Sequence, residues 1–187
     1  VRELLPNNLL NEIMFEMSEE IDFEKIPFLK NNFSSNSLRK IALAFSKQKF
    51  YKGQTIFSRG ESTDFSLYLI LKGKVSCSLP LNEEKLKIMS MNEIIGLEQF
   101  FGNRPRNFTL QALTRKVVLL KLSKEDFLNS LEKAQDFDKF CEIRDQVQMQ
   151  NDFEDLGIQC KLCGSQKHPQ NACGFFFATH KPQVMAN

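Results

Sequence analysis

Tyr51-Lys52-Gly53-Gln54-Thr55-Ile56-Phe57, then Arg59-Gly60-Glu61, then Tyr68-Leu69-Ile70-Leu71-Lys72-Gly73-Lys74-Val75 decide the fold. Short runs of β-branched and aromatic residues alternate with turns centred on Gly53, Gly60 and Gly73, a pattern that suits strands and is too short for helices. Tyr51–Gln54 reads as a turn, Thr55–Phe57 as a strand and Arg59–Glu61 as a second turn. Phe65–Leu71 and Val75–Leu79 read as two strands joined by the tight turn Lys72-Gly73-Lys74. Farther on, Leu86–Met89, Thr109–Ala112 and Val117–Leu122 continue the series. Strands of this length and spacing predict a small antiparallel roll, barrel or sandwich.

On both sides of this block the apolar period lengthens to that of a helix. Leu9, Leu10, Ile13, Met14 and Met17 follow Pro6, and Ile21–Pro27 reads as a short helix or turn stopped by the proline. Ser34, Ser35 and Asn36 offer N-caps for a helix carrying Leu38, Ile41, Ala42 and Phe45. After the strands, Ser123 with Asp126 resembles a capping box ahead of Phe127, Leu128 and Leu131. A last helix, from about Asp136 to Phe153, carries Phe137, Phe140, Cys141, Ile143 and Val147. The predicted fold class is α+β: an antiparallel, jelly-roll-like β-roll flanked by helices, with a small zinc knuckle. Its parts are residues 1–46 (linker-type helices and the first helix of the roll domain), 47–153 (the roll with its C-terminal helices) and 154–187 (knuckle and tail).

With 187 residues, 42% hydrophobic and 26% charged, the chain can bury one full core. Eighteen Phe against two Tyr and no Trp predict a Phe-rich core. A net charge of +2 is too weak to draw nucleic acid or anionic lipid by field alone. No apolar run is long enough to span a bilayer, so this stretch is not expected to insert directly into a membrane. Arg2, Glu3 and Pro6 interrupt the N-terminus where a secretory signal would be apolar. Three of the five cysteines are bunched after residue 159, which suits a reducing compartment better than a disulfide framework. Because the first residue is Val1, the chain is expected to be a piece of a longer protein.

The glycine-and-strand set from Tyr51 to Val75 resembles the opening of the cyclic-nucleotide-binding domain family, with Gly53, Gly60 and Gly73 as its turn glycines. Leu5-Pro6 and Ile26-Pro27-Phe28-Leu29 resemble the end of the linker that joins such domains to the pore of cyclic-nucleotide-gated and related potassium channels. The resemblance spans roughly residues 4 to 153 and implies a cytoplasmic regulatory domain of a channel. It would lie on the cytoplasmic side of a membrane, bind cAMP or cGMP, and meet other channel subunits, as a homo-tetramer, through the linker helices.

In that family a short helix-and-loop cassette wraps the cyclic phosphate, here Gly96-Leu97-Glu98-Gln99-Phe100-Phe101-Gly102-Asn103-Arg104-Pro105-Arg106-Asn107-Phe108-Thr109. The resemblance assigns Arg106 to the phosphate and Thr109 to a slot where a small hydroxyl is common, and makes Gly96, Glu98 and Asn107 further candidate contacts. An arginine suits the task because its planar guanidinium offers several donors to one anion. Two positions depart. Leu97 takes the slot of a ribose-binding glutamate, with Glu98 one residue late, and Phe108 takes the slot of a small alanine. One charge-assisted hydrogen bond lost costs about 1.5–3 kcal/mol, about tenfold to a hundredfold in affinity. A working pocket and a lapsed one therefore both stay open. The last helix would be the lid over the base, with Ile143 and Val147 capping a purine; ordinary packing against the roll is the alternative.

Cys160, Cys163, His168 and Cys173 follow the spacing C-x2-C-x4-H-x4-C. Three thiolates and an imidazole suit tetrahedral Zn²⁺, and Gly164 gives the tight turn after the second ligand. The combination resembles channel-like proteins of ciliates, in which similar C-x2-C-x4-H-x4-C tails follow the cyclic-nucleotide-binding domain. Knuckles that bind single-stranded nucleic acid carry an aromatic after the first cysteine; here stand Lys161 and Leu162, with Lys167 before the histidine. Nucleic acid is thus the weaker use, and a structural clip, anchored by Phe175–Phe177, the stronger. His180 lies outside the pattern.

A regulatory ligand-binding module leads, and a scaffold or protein-interaction domain with a zinc clip is its alternative. Enzymatic activity is not expected. Glu19-Glu20 and Glu83-Glu84 read as solvated faces, and a site with four protein ligands leaves the metal no open position for chemistry.

Overall fold

A computed structural model of the chain describes residues 26–78 and 85–158, with Ile21, Phe23 and Ser165. Two helices, α1 (Pro27–Asn32) and α2 (Ser35–Ala44), lead into eight antiparallel strands. These are β1 (Ser46–Tyr51), β2 (Thr55–Phe57), β3 (Leu67–Lys72), β4 (Val75–Ser78), β5 (Lys85–Met89), β6 (Ile94–Ile95), β7 (Thr109–Ala112) and β8 (Lys116–Leu122). Helix α3 (Leu97–Gly102) interrupts them between β6 and β7; α4 (Lys124–Asn129), α5 (Ala134–Asp145) and a π-helical turn (Gln146–Gln150) follow. The strands form two four-stranded sheets, β1-β8-β3-β6 and β2-β7-β4-β5, the expected antiparallel roll.

Phe57, Tyr68, Ile70, Val75, Cys77, Leu110, Val117 and Leu119 fill the roll between the sheets. Gly73, between β3 and β4, has φ +90°, and a Cβ there would lie 2.6 Å from the Lys116 carbonyl oxygen, so the turn admits no side chain. The second apolar cluster lies among the helices. Phe28, Phe33, Phe100, Phe101, Phe127, Phe140 and Phe153 all contribute to it, as the Phe-rich composition leads one to expect. Edge-to-face pairs run through it, with ring centroids 5.2 Å apart for Phe33–Phe127, Phe100–Phe127 and Phe100–Phe101.

The helix caps match the sequence. Ser34 caps α2, and Ser123 Oγ accepts from Asp126 N–H at 3.0 Å at the start of α4 while donating to its carboxylate. Asp136, at the start of α5, accepts from Ser34 N–H at 2.9 Å, Ser34 Oγ at 2.6 Å and Ser37 Oγ at 2.7 Å, tying the two helical flanks together.

Three expectations need correction. Pro27, read as the stop of a short helix or turn, opens α1, since the first turn spends no proline N–H. Ser46–Tyr51, read as the end of a helix near Ser46 and the start of a turn at Tyr51, is a strand: its residues are mostly polar because β1 is an edge strand, fixed by pairing along β8. The last helix does not run unbroken to Phe153; it widens into the π turn and stops at Asn151, whose φ is +52°. Among the described residues no helix is long and apolar enough to cross a membrane.

Candidate functional site

Arg106 lies between α3 and β7 and is only 1% exposed. Its main chain is gripped by the connection after β2: Arg106 N–H donates to Glu61 O at 2.8 Å, and Gly60 N–H donates to Arg106 O at 2.7 Å. The side chain therefore points into the roll, with Cζ 4.4 Å from the Phe57 ring centroid and 5.6 Å from that of Tyr68. Nη2 donates to Ser66 O at 2.7 Å, whereas Nε and Nη1 have no hydrogen-bond partner among the described residues. Burial lowers the guanidinium pKa from its ordinary value, and Tyr68, Asp64 and Glu61 offset this only in part.

Gly96 stands beside it with φ +95°, and a Cβ there would lie 2.5 Å from Arg106 Nη1. Glycine is thus required twice, by its backbone angle and by the arginine. Leu97 turns into the helical cluster with Phe100 and Phe101, which is why it offers the roll nothing. Glu98, half-buried, accepts from Asn107 Nδ2 at 2.7 Å. Burial raises its carboxyl above the usual range despite the opposing charge of Arg104. The positive charge of Arg104 acts on Glu98, whereas the carboxylates acting on Arg106 are those of Asp64 and Glu61. Thr109 Oγ1 accepts from Arg59 N–H at 3.1 Å and so braces the same loop. Phe108 is half-buried, with its ring centroid 5.4 Å from that of Phe57, the ring over which the guanidinium lies.

The four buried side-chain atoms left without a partner among the described residues are Gln99 Nε2, Arg106 Nε, Arg106 Nη1 and Asn107 Oδ1. All four belong to the cassette. Buried polar atoms are nearly always paired in folded proteins, so their concentration in one segment makes the cassette the candidate site. Gln99, 2% exposed, is one that sequence reasoning missed, because a glutamine on a short helix carries no signal before its burial is known.

Of the two alternatives for Ile143 and Val147, packing is the arrangement seen: both are fully buried in the helical cluster, and Val147 lies beside Gly102 of α3. The π turn is fastened to α3 by Gln148 Nε2, which donates to Phe101 O at 2.9 Å, and to the following loop by Arg104 Nη2, which donates to Val147 O at 3.1 Å.

Cys160, Cys163, His168 and Cys173 lie outside the described residues, and among those described no group of three or more His, Cys, Asp or Glu could hold a metal ion. Cys77 is buried in the roll, where desolvation pushes its thiol up to about 11.

Residues 47–134 match the family model of the cyclic nucleotide-binding domain. No curated protein matches the sequence. Among solved structures, a cAMP-bound PfPKA-R fragment is 26% identical, covers 63% of this chain and superposes with a TM-score of 0.53. The regulatory subunit of a cAMP-independent protein kinase A from Trypanosoma cruzi, bound to guanosine, is 16% identical over 64% of the chain, TM-score 0.56. The regulatory domain of Toxoplasma gondii PKA with cAMP is 22% identical over 58%, TM-score 0.50. This chain covers 41% of each of those three chains, about two-fifths of their length. Residues 47–134 thus form a domain of the cyclic nucleotide-binding fold.

Proposed function

We propose that this domain is a regulatory module that binds the cyclic phosphate of cAMP or cGMP at Arg106. The observation that carries the reading is the buried guanidinium, whose Nε and Nη1 have no partner among the described residues. Leaving an ion unpaired away from water costs several kcal/mol, and an anionic ligand with two acceptor oxygens removes that cost. Two of the structural relatives contain cAMP, which supports the choice of anion. Calorimetric titration of cAMP, then cGMP, tests it: saturable binding in the wild type and none in Arg106→Ala is the expected result. Equal affinity in that variant, or no heat in the wild type, overturns it.

A second reading draws on Phe108, whose ring packs on Phe57, the same ring that the arginine covers. It makes the pocket a lapsed one and the domain a scaffold, and it predicts that Phe108→Ala restores binding that the wild type lacks.

The channel context is a further part of the proposal, resting on the linker-like Leu5-Pro6 and Ile26–Leu29; the full-length product would then encode transmembrane helices before Val1. The zinc clip rests on the donor set Cys160, Cys163, His168 and Cys173. Cys163→Ser is expected to bring zinc content below one ion per chain by metal analysis, and full retention would reject these ligands.

A further inference from the structure

Arg106 depends on a residue that does not touch it. The direction of its guanidinium is set by the Ser66 carbonyl and by the Tyr68 ring. Both are fixed by Asp64. Asp64 Oδ1 accepts from Ser66 N–H at 2.8 Å; Oδ2 accepts from Tyr68 OH at 3.1 Å and pairs with Lys121 Nζ at 2.7 Å. Tyr68 and Lys121 face each other across β3 and β8, so the sheet register itself brings the phenol and the ammonium to the same carboxylate.

The arrangement solves a problem of competition. A carboxylate two residues from Ser66 is an obvious partner for a buried guanidinium, and an internal ion pair would satisfy the arginine without any ligand. Here both carboxylate oxygens are already engaged, by an N–H, a phenol and an ammonium. Burial would raise the Asp64 carboxyl, but Lys121 and Ser66 outweigh it and hold it far below the usual carboxylate range. It stays charged and committed.

We infer that Asp64, neutralised by Lys121, is a positioning residue for Arg106: it directs Nη2 to Ser66 and leaves Nε and Nη1 for the oxygens of the ligand's anionic group. The inference rests on the reading of Arg106 as the anion-binding group. It is tested by titrating cAMP and, separately, inorganic phosphate into the whole chain as wild type, Asp64→Ala, Asp64→Asn, Arg106→Lys and Asp64→Ala/Arg106→Lys, with thermal melts of each. Asp64→Ala is expected to weaken cAMP about tenfold, and Asp64→Asn, which keeps an acceptor for Ser66 N–H, to recover part of the loss. A lysine at 106 has no second nitrogen for Ser66 to hold, so in that background Asp64→Ala should change affinity less than about twofold. Equal affinity for Asp64→Ala and wild type, or the same loss in both backgrounds, overturns the role. If Asp64→Ala does not fold, Asp64→Asn carries the same comparison. Phosphate binding that weakens in the Asp64 variants, with no cAMP binding, sinks the nucleotide reading and keeps this one; if neither probe binds the wild type, both fall.

Discussion

Asp136 and Arg106 are both buried ions, one joining the helical flanks and one inside the β-roll, and they are treated in opposite ways. The carboxylate receives three hydrogen bonds from Ser34 and Ser37. Among the described residues the guanidinium makes one hydrogen bond, to the Ser66 carbonyl, and Nε and Nη1 have no partner. A saturated buried ion is finished structure, whereas an unsaturated one stores a desolvation cost that a ligand can relieve. The ion among the helices is thus satisfied within the fold and the ion in the roll is the one proposed to take a ligand, with α3 joining the two regions: Phe100 and Phe101 anchor it in the helical cluster while Gly96 abuts the arginine.

The most severe way to break this contrast is in the helical cluster. Phe127 is fully buried and contacts the rings of Phe33, Phe100 and Phe140. Phe127→Ala is expected to cost about 3–5 kcal/mol in denaturant unfolding. A loss under about 1 kcal/mol would mean that this cluster is not the stabilising one.

In the roll the same kind of experiment should give the reverse. Arg106→Met removes a buried charge and keeps much of the volume over Phe57. Its melting midpoint without ligand is expected to equal or exceed that of the wild type, while nucleotide affinity falls about a hundredfold, the loss of one to two charge-assisted hydrogen bonds. A large drop in midpoint would make Arg106 a structural ion like Asp136.

The smallest effect concerns Asp136 itself. Burial would raise its carboxyl, but the hydroxyls of Ser34 and Ser37 outweigh that and hold it below the usual range. A carboxyl with a depressed folded pKa contributes its full stability above the unfolded value of about 3.9, and loses it as pH falls through the folded value. Asp136→Asn should therefore cost about 2 kcal/mol at neutral pH, and the gap to wild type should close in acid. A gap independent of pH would assign the loss to packing.

Much of this contrast is written in the chain itself. The caps Ser34 and Ser123 act as their residue types suggest, and β7 has the bounds read for it, since glycine turns and alternating apolar residues report local geometry. Arg106 is legible from its place after Gly96 and Pro105. β1 is not, because Ser46, Lys47, Gln48 and Lys49 carry no apolar signal and are extended by their hydrogen bonds to β8. Nor are Ile143 and Val147, whose spacing fits a lid and a core equally well; burial alone separates the two.

The sequence by itself determined most of the helices and strands, the turn glycines and the aromatic core, because each depends on a residue type within a few positions of its neighbours, and its family resemblance singled out Arg106. Only the tertiary structure decided which way Leu97 and Glu98 face, that Ile143 and Val147 belong to the core, and that Asp64 reaches Ser66, Tyr68 and Lys121 at once. Those facts depend on strand register and on which side chains are left without partners once the chain has closed around them, and neither quantity exists before it folds.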